Sequence, residues 1–140
     1  MNTWNDCITK GEARKITPDT AKAKSLIQTA QGRIEFLHKI TLEESNANYL
    51  FEGYYSSLIE LMHALVLING FKITNHVCLG NYIRDILDKQ KWYHVFDDCR
   101  YKRNALVYYG RHMDCDTCKD ALQKCQQLIT ELGKHLKKLT

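Results

Sequence analysis

The sequence predicts an all-α protein, an antiparallel bundle of four to five helices forming one domain over residues 1–140. Three observations carry this. Apolar residues recur at helical spacing in five long stretches, capping residues or glycines bracket those stretches, and no stretch alternates with the period of two that marks a half-buried strand. A chain of 140 residues can bury about two thirds of its unfolded surface without a disulfide framework. With a single proline and seven glycines, it has little material for linkers, so one compact domain is expected.

The first predicted helix opens at Thr17-Pro18-Asp19, where a hydroxyl cap, a proline at the first helical position and an acid near the positive dipole end coincide. Leu26, Ile27, Ala30, Ile34 and Leu37 carry its apolar face to about Ile40. A second helix runs from about Asn48 to Asn69. Its aromatic and aliphatic residues, among them Phe51, Tyr54, Tyr55, Leu58, Met62 and Val66, cover more than one face and mark it as the central helix. Gly70 ends it in the left-handed cap position. A third helix opens at Thr74 or Asn75 and closes near Asp88; His76 belongs to its cap region. The fourth starts near Trp92 or Tyr93 and stops at Gly110, and the last starts near Asp114 or Asp116 with Lys134, Lys137 and Lys138 complementing its C-terminal dipole.

Composition narrows the function classes. No stretch approaches the ~18–20 apolar residues of a membrane span, and the N-terminal residues lack the apolar core of a signal peptide, so a cytoplasmic protein with no membrane partner is expected. The six cysteines sit mostly inside helical patterns and are expected to be reduced, most of them as small core residues. A net charge of +4 permits contact with a polyanion without the strongly basic profile of a dedicated nucleic-acid binder. Arg100, Lys102, Arg103 and Arg111 concentrate the positive charge around one segment, Arg103 to Gly110, with the sequence RNALVYYG.

The order of landmarks is a capped helix TPDTAKAKSLIQTAQGRI, an aromatic central helix FEGYYSSLIELMHALVLINGF, the connector KITNH, then RNALVYYG and a final amphipathic helix. Together, from about Trp4 to Leu136, these resemble the HEPN domain family. The resemblance implies a helical bundle that pairs as a two-fold homodimer, with an arginine and, four to six residues on, a histidine of each subunit meeting across the interface. It also implies metal-independent ribonuclease activity of the toxin or defence type, as in toxin–antitoxin systems. The alternative implied by the same family is a non-catalytic module paired with a nucleotidyltransferase. On this resemblance Arg103 takes the arginine position and Asn104 the polar residue beside it, while the histidine position falls on Tyr108.

The chemistry of the residues fits a phosphate-facing site. Metal-independent RNA cleavage needs a base for the 2′-hydroxyl proton, a cation for the phosphate and an acid for the leaving oxygen. Arg103, helped by Arg100, has the planar donor fork that matches phosphate oxygens. Tyr108 is a weak base, with roughly one molecule in a thousand ionised at neutral pH. Tyr108 and Tyr109 instead suit stacking and hydrogen bonding, so binding of RNA or nucleotide is expected to outlast cleavage. Arg111 adds charge to the binding set, and His112, just past Gly110, can fold back as a substitute base.

Competing readings come from the same residues. Arg103 could simply pair with an acid such as Glu60 or Asp98 while the tyrosines pack and Gly110 caps. His63 reads as a core or interface histidine. His112, Cys115 and Cys118 have the spacing of zinc ligands but lack an evident fourth, and Cys115 with Cys118 could instead form a reversible disulfide. No metal or cofactor is assigned.

Overall fold

The computed structural model describes residues 2–108 and 110–140, apart from the side chain of Tyr108, and is a helical bundle. Its axis is helix α3 (Ala47–Ile68), packed against α2 (Thr20–His38), α5 (Gln90–Tyr108) and α6 (Cys115–Leu139). Apolar side chains cover most of the α3 surface, with Phe51, Tyr55, Leu58, Met62 and Leu65 almost fully buried, and leave only a narrow flank around Tyr49, Glu52, Ser56, Glu60 and His63 less covered. Each such side chain contributes about 1.5–3 kcal/mol by leaving water. In α6 a single stripe, Ala121, Leu122, Cys125, Leu128, Leu132 and Leu136, is buried at helical spacing while lysines and glutamines face out. Among the described residues, no helix is long and apolar enough to cross a membrane.

Helix α2 starts at Thr20, with Asp19 rather than Thr17 as its cap; the Asp19 carboxylate accepts from the Lys22 N–H at 3.0 Å. The expected start at Thr17-Pro18 is displaced because the preceding chain is tied to the end of α3. Ile16 donates its N–H to the Gly70 carbonyl and Asp19 donates to that of Leu67, which holds the segment extended. Gly70 itself adopts φ +84° and closes α3 as its sequence position predicts.

Three elements escape the sequence reading. Contrary to the expectation of no strand, β1 (Ala13–Lys15) pairs antiparallel with β2 (Phe71–Ile73), Ala13 opposite Ile73. Strands of three residues are too short to show a period. A short helix α1 (Trp4–Thr9) precedes them, opened by a reciprocal cap in which Thr3 and Asp6 satisfy each other's backbone N–H groups. Trp4 packs edge-on against Phe71 and Tyr82.

The expectation of six reduced cysteines is also corrected. Cys7 of α1 and Cys78 of α4 (His76–Asn81) form a disulfide, while Cys99, Cys115, Cys118 and Cys125 are free thiols. The third predicted helix divides into α4 and a π-helical turn (Tyr82–Ile86), which closes at Asp88 in the left-handed region. Helix α6 begins behind Asp114, whose carboxylate accepts from the Thr117 N–H at 2.7 Å.

Candidate anion-binding groove

Helix α5 buries Phe96 and Cys99 toward the core, which places Arg100, Arg103 and Asn104 on the adjoining flank, one turn apart. Across from them stands the start of α4. The two helices approach closely because residue 80 is glycine: a Cβ there would lie 3.2 Å from the Phe96 ring. Asn75 caps α4 by accepting from the Cys78 N–H at 2.8 Å, and its side-chain amide donates to Glu12. With the Cys7–Cys78 disulfide, these contacts hold His76 facing α5. Thr74, Asn75, His76 and Val77 form one wall of an open groove of about 400 Å³, and Arg100, Arg103 and Asn104 form the other.

Tyr55 of α3 is buried in the core behind His76 and Arg103. Its ring is stacked on Phe96 at 6.1 Å, and its hydroxyl is 2.9 Å from Nδ1 of His76. The guanidinium carbon of Arg103 lies 5.8 Å from the centroid of the same ring, within reach of a cation–π attraction. Burial pushes the Tyr55 hydroxyl far above its ordinary range, although Arg103 and Arg100 oppose the shift. It stays a neutral phenol. Burial also holds the His76 imidazole below its ordinary 6.5, reinforced by the charges of Arg103, His63 and Arg100. At neutral pH the ring is therefore uncharged, and its Nε2 makes no hydrogen bond to the described residues.

The groove's charge is not neutralised from within. The expected alternative partners of Arg103 are taken, since Glu60 pairs with Arg33 and Asp98 pairs with Lys102. Among the described residues Arg103 has no ion pair, and its Nε is buried without a hydrogen-bond partner. Arg100 is held by Asp97 of its own helix at 3.0 Å. That contact orients Arg100, so that of the groove's two arginines Arg103 is the one without an ion pair among the described residues.

The predicted site residues thus separate. Arg100, Arg103 and Asn104 line the groove together. Asn104 also borders a neighbouring hollow with Tyr101, Ala105 and Arg111, so Arg111 stands one hollow away. His112 is not a groove residue: Asn48 holds its Nδ1 at 2.8 Å. Tyr109 and the side chain of Tyr108 lie outside the described residues. His63 is half-buried and lines a separate hollow with Lys22 and Lys72.

The zinc and dithiol readings of the 112–118 stretch find other partners for these residues. Cys118 donates its thiol to the Ala47 carbonyl at 3.3 Å, and the Cys115 N–H donates to Glu44. Burial raises the Cys118 thiol to about 11, which disfavours the thiolate that metal binding and exchange both need. Among the described residues the one gathering of potential ligand atoms is Cys7, Glu12 and Cys78, and its two sulfurs are spent in the disulfide.

The chain matches no family model, no curated protein and no solved structure. What it does is therefore argued from the groove. Sequence reasoning missed His76 as a groove residue and Tyr55 behind it. The first reads only as a helix start and the second as one aromatic among several; no local pattern reveals that α4 faces Arg103 across a core tyrosine.

Proposed function

We propose that this chain binds RNA or a nucleotide through its phosphate in the groove between α4 and α5, as a HEPN-like protein with an altered active site. The observation that carries the reading is Arg103, a guanidinium without an ion pair, set over an aromatic ring in an open groove. A phosphate there would accept charge-assisted hydrogen bonds from Arg103 and gain further attraction from Arg100. Asn104 adds a donor and an acceptor for ribose or phosphate oxygens. Metal-independent cleavage of the ribonuclease type, in a toxin or defence setting, is the activity this reading favours.

A homodimer belongs to the same reading. Tyr101 and Val107 on α5 are 68% and 43% exposed beside the groove, which favours a protein partner on that face. A nucleotidyltransferase as that partner is the second reading.

The test is equilibrium binding of a fluorescent single-stranded oligoribonucleotide at several salt concentrations. Arg103→Ala should weaken binding by about 1.5–3 kcal/mol, the worth of a hydrogen bond to a charged group, and flatten the salt dependence. Equal affinity and equal salt slope in wild type and variant would refute the site.

A further inference from the structure

We infer that His76 is a catalytic residue of this groove, the proton acceptor that activates the 2′-hydroxyl of a bound ribonucleotide strand, with Tyr55 as its positioning residue. The inference rests on the phosphate-binding reading above and adds the reacting group to it.

The geometry supplies what an acceptor needs. His76 shares the groove with Arg103 and Arg100, so a phosphate held by the guanidiniums lies within the space the imidazole borders. The ring is anchored at one nitrogen only. The proposed step uses the tautomer protonated at Nδ1, in which the ring donates to the Tyr55 oxygen 2.9 Å away and Nε2 carries a lone pair with no competing partner among the described residues. Tyr55 is itself immobilised between Phe96 and the imidazole, and the first turn of α4 is fastened through Asn75, Glu12 and the Cys7–Cys78 disulfide. The contact fixes the orientation of the ring, which is part of the usual service of a second partner on a working histidine. Its lowered proton affinity keeps it unprotonated at neutral pH.

The same groove indicates the substrate class. Its walls offer no cysteine, serine or carboxylate. The Thr74 hydroxyl is directed to the Glu12 carbonyl at 3.1 Å. Among the described residues no side chain is placed to attack phosphorus, and the nucleophile of the proposed step is the substrate's own 2′-hydroxyl. A ribonucleotide strand carries one next to each phosphodiester, whereas a deoxyribonucleotide strand does not. In the proposed step His76 Nε2 takes the 2′-hydroxyl proton and the oxygen's electron pair forms the new bond to phosphorus. The bond from phosphorus to the 5′-oxygen breaks, that oxygen leaves with the bonding pair and takes a proton from water. The products are a 2′,3′-cyclic phosphate and a free 5′-hydroxyl, with no change of oxidation state. Arg103 faces the charge that builds on the non-bridging oxygens.

The groups facing the ring are Arg103 and Arg100 from α5, Tyr55 and His63 from α3, and Glu12 behind Asn75. Both arginines stay charged throughout the useful range, so the acid limb of the rate profile should follow the imidazole.

The experiment uses the full chain with a labelled 20-nucleotide oligoribonucleotide and its all-deoxy counterpart, followed by binding anisotropy, gel and mass spectrometry of the products. Wild type should bind both strands and cleave only the RNA, leaving cyclic phosphate ends. His76→Ala and His76→Gln should lower the cleavage rate by ~10²–10⁴-fold while changing affinity less than about threefold. His76→Gln preserves a hydrogen-bond partner for Tyr55 and guards against a folding artefact, which thermal unfolding of each variant also monitors. Tyr55→Phe should move the acid limb of the rate profile while the protein still binds RNA. Binding without cleavage, or His76 variants that cleave at the wild-type rate, would overturn the role of His76 alone. Absence of binding by wild type would overturn the groove reading and this inference with it.

Discussion

Removing the Cys7–Cys78 disulfide should cost this protein a large share of its stability. The two cysteines are 71 residues apart in sequence, so the bond closes roughly half of the chain. On the loop-entropy relation, a closed loop of that length lowers the entropy of the unfolded chain by about 15 cal/mol/K, worth about 4 kcal/mol at 25 °C. Spread over an unfolding entropy of ~2 cal/mol/K per residue for 140 residues, that is a fall in Tm of roughly 14 °C. Both sulfurs are fully buried, so the native contacts around them should survive reduction better than the constraint does. The assay is thermal and urea unfolding of wild type with and without a phosphine reductant, beside the double variant Cys7→Ala/Cys78→Ala. Thiol titration in denaturant without reductant should find four free thiols, those of Cys99, Cys115, Cys118 and Cys125. Six titratable thiols, or a midpoint that reductant does not move, would refute the assignment of the bond.

Two further outcomes follow from the packing and the charges. Gly80→Ala should destabilise the fold by about 1 kcal/mol, because overpacking costs ~1–3 kcal/mol and helix propensity returns up to ~1 kcal/mol. The Phe96 ring it would press is buried and stacked on Tyr55; urea unfolding with an unchanged midpoint would refute the close approach of α4 to α5. Acid should also weaken the fold through its histidines. Burial holds His63, His76 and His135 below the ordinary 6.5, so the unfolded chain binds protons more readily than the native one, and stability falls as pH drops through and below 6.5. Urea midpoints measured from pH 7.5 to 5.5 should decline, and His63→Gln should shallow the slope; a flat profile would contradict the buried, neutral rings.

Much of the bundle is local information. The helical period of Leu122, Cys125, Leu128, Leu132 and Leu136 specifies the buried face of α6, and the apolar residues of α3, covering more than one face, mark it as the axis, because burial of apolar area drives both choices. Gly70 and Asp114 terminate and start helices where their own side chains, or the lack of one, dictate. Arg100, Arg103 and Asn104 are adjacent on one helix, so their shared flank was legible from spacing alone. Errors arose where distant backbone decided the outcome: Asp19 replaced Thr17 as a cap because Gly70 and Leu67 captured the preceding N–H groups, and Ala13–Lys15 became a strand only by meeting Phe71–Ile73.

By itself, then, the sequence determined the helical class, the central helix and one wall of the groove, since periodicity, caps and neighbouring charges act within a few residues. Only the tertiary structure decided that Arg103 has no acid partner among the described residues, that Cys7 meets Cys78, and that His76, bonded to Tyr55, completes the groove. These contacts join residues more than twenty positions apart. The groove also depends on how close α4 comes to α5, where Gly80 lies against Phe96, and a one-dimensional pattern carries no record of that distance.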